Sequence, residues 1–379
     1  MVDVSELVNV DARTGIQRVV RSILQHLLSS ESIGFKVVPV YFDRETGFMY
    51  ANRFLDSFTG RESVGGGDKE VEFSKGDVFL GLDFAIHFFP EMNASLVSMK
   101  ERGVIVSFVL YDLTPILNHA CHTPELVEMY RVWLNSVCSV SDVIACISKS
   151  VENDLNSWLT SAKCDDSDLR VTSFHLGADI ENSSPTRGLP EDCDESIKAF
   201  SGSAISCLMV GTMEPRKGYR FVLDGFDQLW AGGADISLVI VGRSGWGMES
   251  FQERLLVHPE FGKRLHWLNG VSDEYLSLIY GASDVLIAAS EAEGFGLPLI
   301  EAAVHGLPVI ARDIPVFREV GGGAAFYFSG EDPAAFCQEI HQWIDEFKNG
   351  SHPNSSEMTW LTWAQSSQAL VEAIGLPKS

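Results

Sequence analysis

Short apolar runs recur along this chain with helix-spaced apolar segments between them, and this alternation is what most limits the fold. Runs at 35–41, 77–82, 104–110, 140–148, 205–211, 237–242, 265–268, 284–289 and 308–312 read as strands. A shorter run opens the chain at 2–5, and 174–179 reads as the last strand of the amino-terminal half with its turn. Between them, Ile16, Val19, Val20, Ile23, Leu24 and Leu27 fall on one helical face, as do Val222, Leu223, Phe226, Leu229 and Trp230. The run at 284–289 has the β-favouring, unbroken character of a buried parallel strand. Strands alternating with helices imply doubly wound α/β sheets, whose ligands bind beyond the carboxyl ends of the strands.

With 379 residues the chain has room for two such sheets, each with its own core. Residues 181–203 turn polar and lose periodicity, which places a linker there. The expected division is therefore a first domain at 1–190, a second at 201–355, and a last helix within 356–379. Trp360, Leu361, Trp363, Leu370, Val371 and Ile374 give that helix an apolar face, expected to pack back on the first domain. Gly65, Gly66 and Gly67 read as a flexible connection that binds nothing.

Acidic residues number 52 against 28 basic ones, and the net charge of -24 excludes nonspecific nucleic-acid binding and a broad electrostatic hold on anionic lipid. The seven cysteines are odd in number and form no CxxC pair, which suits a reducing cytoplasm. Because no apolar run approaches the roughly 20 residues that span a bilayer, and the start lacks a signal pattern, the expectation is a soluble cytoplasmic protein, at most peripheral to a membrane.

Chemistry gathers at four places. Residues 290–302, SEAEGFGLPLIEA, put Glu293 on the loop after a strand and Glu301 in the first turns of the next helix. The amides of Phe295, Gly296 and Leu297 open that helix, Gly294 and Gly296 allow close approach, and an anion such as a phosphate suits the positive end of its dipole. Two glutamates so placed would also complement the dipole alone. Arg216 and Lys217 follow a strand that ends at Gly211, where a planar fork and a point charge can neutralise a diphosphate. Gly15 is expected to form a turn that opens the helix containing Arg18. Asp112 ends another strand, placed to bind an acceptor hydroxyl, to orient a nearby catalytic base or simply to form a turn, with His119 and His122 soon after. No DxD or clustered histidine set supplies a metal site.

The strings Ser-x-x-Glu-Gly-Phe-Gly-Leu-Pro-x-x-Glu-Ala at 290–302, GTxxPRKG at 211–218, TGIxR at 14–18 and D-L-x-P at 112–115 together resemble retaining family-4 glycosyltransferases. That resemblance implies the GT-B fold, two Rossmann-like domains facing across a cleft. It implies that Glu293 contacts donor-sugar hydroxyls, that Gly294 to Leu297 hold sugar and diphosphate, and that Glu301 binds the ribose. Arg216 and Lys217 would grip the diphosphate beside Gly211, Val271 would lie on the base, and Gly15 would face the diphosphate. Arg18, Asp112 and His119 would serve the acceptor, and His122 would approach the donor sugar. The implied chemistry is metal-independent transfer with retention, in which the leaving phosphate helps deprotonate the acceptor and no cofactor takes part. The TGIQRV segment is similar to bacterial mannosyl- and rhamnosyltransferases of surface polysaccharides, which favours GDP-mannose as donor and a glycan or lipid-linked glycan as acceptor. A nucleotide-sugar isomerase or epimerase, a phosphorylase and a non-catalytic nucleotide-sugar-binding protein are the alternatives.

Overall fold

The computed structural model describes residues 1–30, 34–60, 67–162, 168–179, 183 and 185–375, so Gly65 and Gly66 lie outside the described residues. The chain divides into two compact units, Met1–Gly177 with Leu361–Ser379, and Ala178–Trp360.

In the first unit the strands are β1 (Val2–Asp3), β2 (Pro39–Asp43), β3 (Gly47–Tyr50), β4 (Val78–Gly81), β5 (Ile105–Leu110), β6 (Val143–Cys146) and β7 (Arg170–Ser173). They pair in the order β3-β2-β1-β4-β5-β6-β7, parallel except for the β2–β3 hairpin. Phe79, Val106 and Ile144 are fully buried, as strands covered on both faces require. The last helix, Trp363–Ala373, belongs to this unit and packs on Gly15–Ser29. Its start is fixed by a capping box between Thr362 and Gln365 and by Ser366 Oγ donating to the His175 carbonyl at 2.8 Å.

Residues 174–179, expected to hold a strand, lie beyond the ladder, which ends at Ser173. Phe174 and Leu176 are buried, and Gly177 bridges to Leu361 instead. Burial under a distant helix and burial in a sheet leave the same apolar mark on a sequence.

The second unit contains β8 (Ile205–Val210), β9 (Ile236–Val241), β10 (Leu265–Leu268), β11 (Val285–Ala288), β12 (Val309–Arg312) and β13 (Phe326–Phe328). All pairs are parallel, in the order β10-β9-β8-β11-β12-β13. Leu208, Leu238, Leu286 and Ile310 are fully buried, each contributing about 1.5–3 kcal/mol of transfer free energy. The stretch read as a linker contains the helix Cys193–Ser201. It is tied at its front: Thr186 N and Oγ1 both donate to Asp273 at 2.8 Å, and Gly188 N donates to Glu274 at 2.8 Å. These bonds tie Thr186 and Gly188 to the second unit.

Among the described residues no helix is long and apolar enough to cross a membrane. In the second sheet the chain turns one way from β8 and the other way from β11, and these two strands are neighbours. That reversal is the topological switch point, where α/β sheets leave a crevice beyond their strand ends.

Candidate active site

The loops leaving β8 and β11 carry Arg216, Lys217 and Glu293 into direct contact. After β8, Gly211 N donates to Val241 O at 2.9 Å, and residues Pro215–Lys217 form one tight helical turn. Gly218 follows at φ 72°, and a Cβ there would lie 2.4 Å from the Ala289 carbonyl. Only glycine fits that turn and that approach. The loop after β11 is joined to the first by Glu291 N donating to Arg216 O at 2.8 Å.

Glu293 receives the side chains. Its Oε2 accepts from Arg216 Nη1 at 2.9 Å, while its Oε1 pairs with Lys217 Nζ and accepts from Ser290 Oγ at 2.7 Å. Arg216 also bonds the Ala292 carbonyl and Glu214, each at 2.9 Å. The Arg216, Lys217 and Glu293 side chains retain only 13%, 15% and 12% exposure. Burial raises the carboxyl's pKa, but the charges of Lys217 and Arg216 and the bonds from Lys217 and Ser290 overcome it, holding the group at about 2. Glu293 is therefore an acceptor fixed in its ionised form. Two cations and two carboxylates leave this cluster close to electrically neutral, so an anion arriving there competes with Glu293 for the same donors.

The helix Leu297–Val304 starts beside the cluster, its first turn set by Gly296 at φ 98°, where a Cβ would lie 2.8 Å from the Phe317 ring. Phe295 is buried at 4% exposure. A cavity of about 20 Å³ beneath the loop is lined by Lys217, Tyr219, Ser290, Glu293, Gly296 and Pro298.

Glu301 does not join Glu293 in this cluster. It is 4% exposed and its Oε2 accepts from Tyr280 Oη at 2.8 Å. Tyr280 stacks on His305 at 5.0 Å, and His305 bonds Ser277 at 2.9 Å. The expectation was that both glutamates face one crevice; the structure holds Glu293 on Arg216, Lys217 and Ser290, and Glu301 on Tyr280. Half-buried Val271 precedes Ser272, whose Oγ caps the helix Asp273–Ala282 by accepting from Tyr275 N at 3.0 Å.

The first-unit residues have more local roles. Gly15 is not the turn expected: it is the first residue of its helix, its φ is not positive, and a Cβ there would meet nothing within 4 Å. The turn is made by Thr14, which accepts from Gln17 N at 3.2 Å in a capping box. Arg18 is half-buried one turn on. Asp112 Oδ1 accepts from Thr114 N at 2.9 Å and Thr114 Oγ1 at 2.8 Å, closing the short helix Thr114–Leu117. His119 is exposed and His122 half-buried on the segment that follows.

Two contributors escaped the sequence reading. Glu214 lay unassigned inside the string 211–218, and Ser290 opened the string 290–302 without a role. Their spacing to Arg216 and Glu293 was the available signal. Among the described residues no group of three or more His, Cys, Asp or Glu is placed to hold a metal ion.

A family model described as glycosyl transferases group 1 matches residues 194–352, which includes every member of the Arg216–Lys217–Glu293 cluster. The chain is 41% identical over 375 residues to the serotype-specific mannosyltransferase WbdA of Escherichia coli, a match covering 98% of this chain and 46% of that protein. It thus spans about half the length of the curated relatives it matches most fully. O-antigen chain mannosyltransferase B of Escherichia coli is 32% identical over 180 residues, 46% of this chain and 45% of its own. Among solved structures, Anabaena Alr3699/HepE in complex with UDP-glucose aligns with a TM-score of 0.55 at 17% identity, covering 78% of this chain and 74% of that one. A Burkholderia xenovorans α,α-trehalose-phosphate synthase aligns with a TM-score of 0.56 at 12% identity, covering 78% and 72%. At such identities these two speak for the fold, which is the GT-B arrangement of two α/β units. The switch-point cluster thus lies inside the stretch of this chain, residues 194–352, that is similar to the glycosyl transferases group 1 family.

Proposed function

We propose that this chain transfers mannose, with retention of configuration, from GDP-mannose to a hydroxyl of a growing polysaccharide or its lipid-linked precursor. The observation that carries the reading is the joining of Lys217 and Arg216 to Glu293 at the switch point of the second sheet. The likeness to serotype-specific and O-antigen mannosyltransferases supports the sugar and the pathway class. As the bond from the anomeric carbon to the diphosphate breaks, negative charge collects on the leaving oxygens. Lys217, Arg216 and the amides at the start of Leu297–Val304 meet that charge, and being already ordered they need little reorganisation. Donors shared with the diphosphate loosen their hold on Glu293, whose carboxylate then accepts from sugar hydroxyls. Gly211 lies beside the diphosphate, Gly294 keeps the loop backbone close to the ligand, Glu301 meets the ribose and Val271 the base. Arg18, Asp112 and His119 serve the acceptor, His122 the donor sugar, and Gly15 the diphosphate. A lipid-linked acceptor would bring the chain to a membrane surface.

The test is a donor panel with mass detection of acceptor products. GDP-mannose should yield mannosylated acceptor and GDP, whereas donor consumption without acceptor would point to an isomerase. Lys217→Ala and Glu293→Ala should each lower turnover by about a hundredfold or more with the fold intact. Near-normal turnover in either sinks the assignment. Because cationic side chains carry the charge, transfer should persist within about twofold in EDTA, and its abolition would show that a metal is required.

A further inference from the structure

Behind the two loops lies a buried arginine that bonds the start of the second loop and lies over Phe221, on the helix that the first loop enters. Arg312 ends β12, whose ladder with β11 pairs Ala311 with Ala288, so Arg312 comes level with Ala289. It is 8% exposed. Its Nε donates to the Ala289 carbonyl at 2.9 Å and its Nη1 to the Gly330 carbonyl at 2.7 Å. Its guanidinium carbon lies 4.7 Å from the centre of the Phe221 ring and 5.1 Å from that of Phe328. The negative charges of Glu291, Glu331 and Glu339 favour its charged form against burial.

The Ala289 carbonyl is where the two loops meet. Gly218 packs so closely against it that a Cβ would approach to 2.4 Å, and Gly218 directly follows Lys217. Ala289 directly precedes Ser290, which donates to Glu293 at 2.7 Å. Phe221 stands on the helix Tyr219–Ala231 that the first loop enters. One guanidinium therefore fixes the carbonyl between the loops by a hydrogen bond and the exit of the first loop by stacking. Donating to the Ala289 and Gly330 carbonyls while lying over the Phe221 ring suits a planar fork, whereas a lysine ammonium is a point charge without that plane.

We infer that Arg312 is a positioning residue for the donor site: it sets the separation of Lys217 and Glu293 from behind, and with it the affinity for a nucleoside diphosphate. The inference rests on the donor-site reading above. A purely structural arginine would affect melting and leave ligand affinity alone once the protein is folded.

Titration of the full chain with GDP and with UDP, followed by calorimetry, separates these cases. Arg312→Gln should weaken binding of the preferred nucleotide by about tenfold or more, and Arg312→Lys, which keeps the charge without the fork, by about threefold or more. Leu255→Ala, a core change elsewhere in the same unit, should lower the melting temperature and leave affinity within about twofold of wild type. Wild-type affinity in folded Arg312→Gln overturns the inference, as does an equal loss in Leu255→Ala. Should Arg312→Gln fail to fold, wild-type affinity in Arg312→Lys overturns it alone. If the wild-type chain binds neither nucleotide, the donor-site reading fails and this inference with it.

Discussion

Glu293 accepts from Arg216, Lys217 and Ser290 at once, so its ionisation is tied to the order of both loops. Its pKa, held at about 2 in the fold against 4.5 ordinarily, means the folded state binds fewer protons than the unfolded one between those values. The resulting stabilisation is fully present above about pH 5 and is lost as pH falls toward 2. Glu293→Gln should abolish this acid dependence. At pH 7 it should cost on the order of 2 kcal/mol, because Arg216 and Lys217 then face each other without their shared carboxylate. Urea unfolding at pH 7 and pH 3 checks this, and an unchanged acid slope in the variant would refute it. These three residues were legible in the sequence because each sits in a short local string next to a strand end. Arg312 and the Tyr280–Glu301 bond were not, since both depend on which side chain reaches across from a distant element.

At the scale of elements, parallel strands were readable because both of their faces are buried, which leaves mostly apolar runs at β8, β9, β11 and β12. β3 and β13 escaped notice: Gly47–Tyr50 is an edge strand paired on one side through a hairpin, and Phe326–Phe328 has only three residues. The last helix shows how a distant contact can govern an element. Gly177 bridges to Leu361, and a Cβ at 177 would lie 2.6 Å from the Trp363 backbone nitrogen. Backbone cannot move aside as a flexible side chain can, so Gly177→Ala should displace the helix start. Thr362→Ala removes only the cap, at a cost of about 1 kcal/mol. The expected order of urea stability is wild type, Thr362→Ala, then Gly177→Ala. Limited proteolysis should cut Gly177→Ala first near Leu361, and a reversed order would show that the cap, not the close approach, anchors this helix.

Across the whole molecule, two buried acids of the first unit respond to pH in the opposite sense to Glu293 in the second. In the first unit Asp3 ends β1 beside β4, at that sheet's own switch point, with 1% exposure. Its Oδ1 accepts from Ser5 Oγ at 2.5 Å, while its Oδ2 is buried without a hydrogen-bond partner among the described residues. Burial, and then the nearby charge of Asp83, push its pKa up to about 8 against the Ser5 bonds. Burial also raises Asp83, to about 6, although its carboxylate accepts from Leu7 N at 2.7 Å and Phe84 N at 2.9 Å. Both folded values lie above the unfolded ones, so this stabilisation is fully present below about pH 4 and is lost as pH rises through 6 and 8. Glu293 shows the reverse dependence, at the acid end. The first unit should therefore be the one weakened on going from pH 5 to pH 9. Asp3→Asn keeps the shape of the protonated acid and removes its titration. The variant should melt about 3 °C or more above wild type at pH 8 and close to it at pH 5. Thermal unfolding of the full chain across this range is the measurement, and parallel curves for variant and wild type would mean that Asp3 is already ionised in the folded protein at neutral pH.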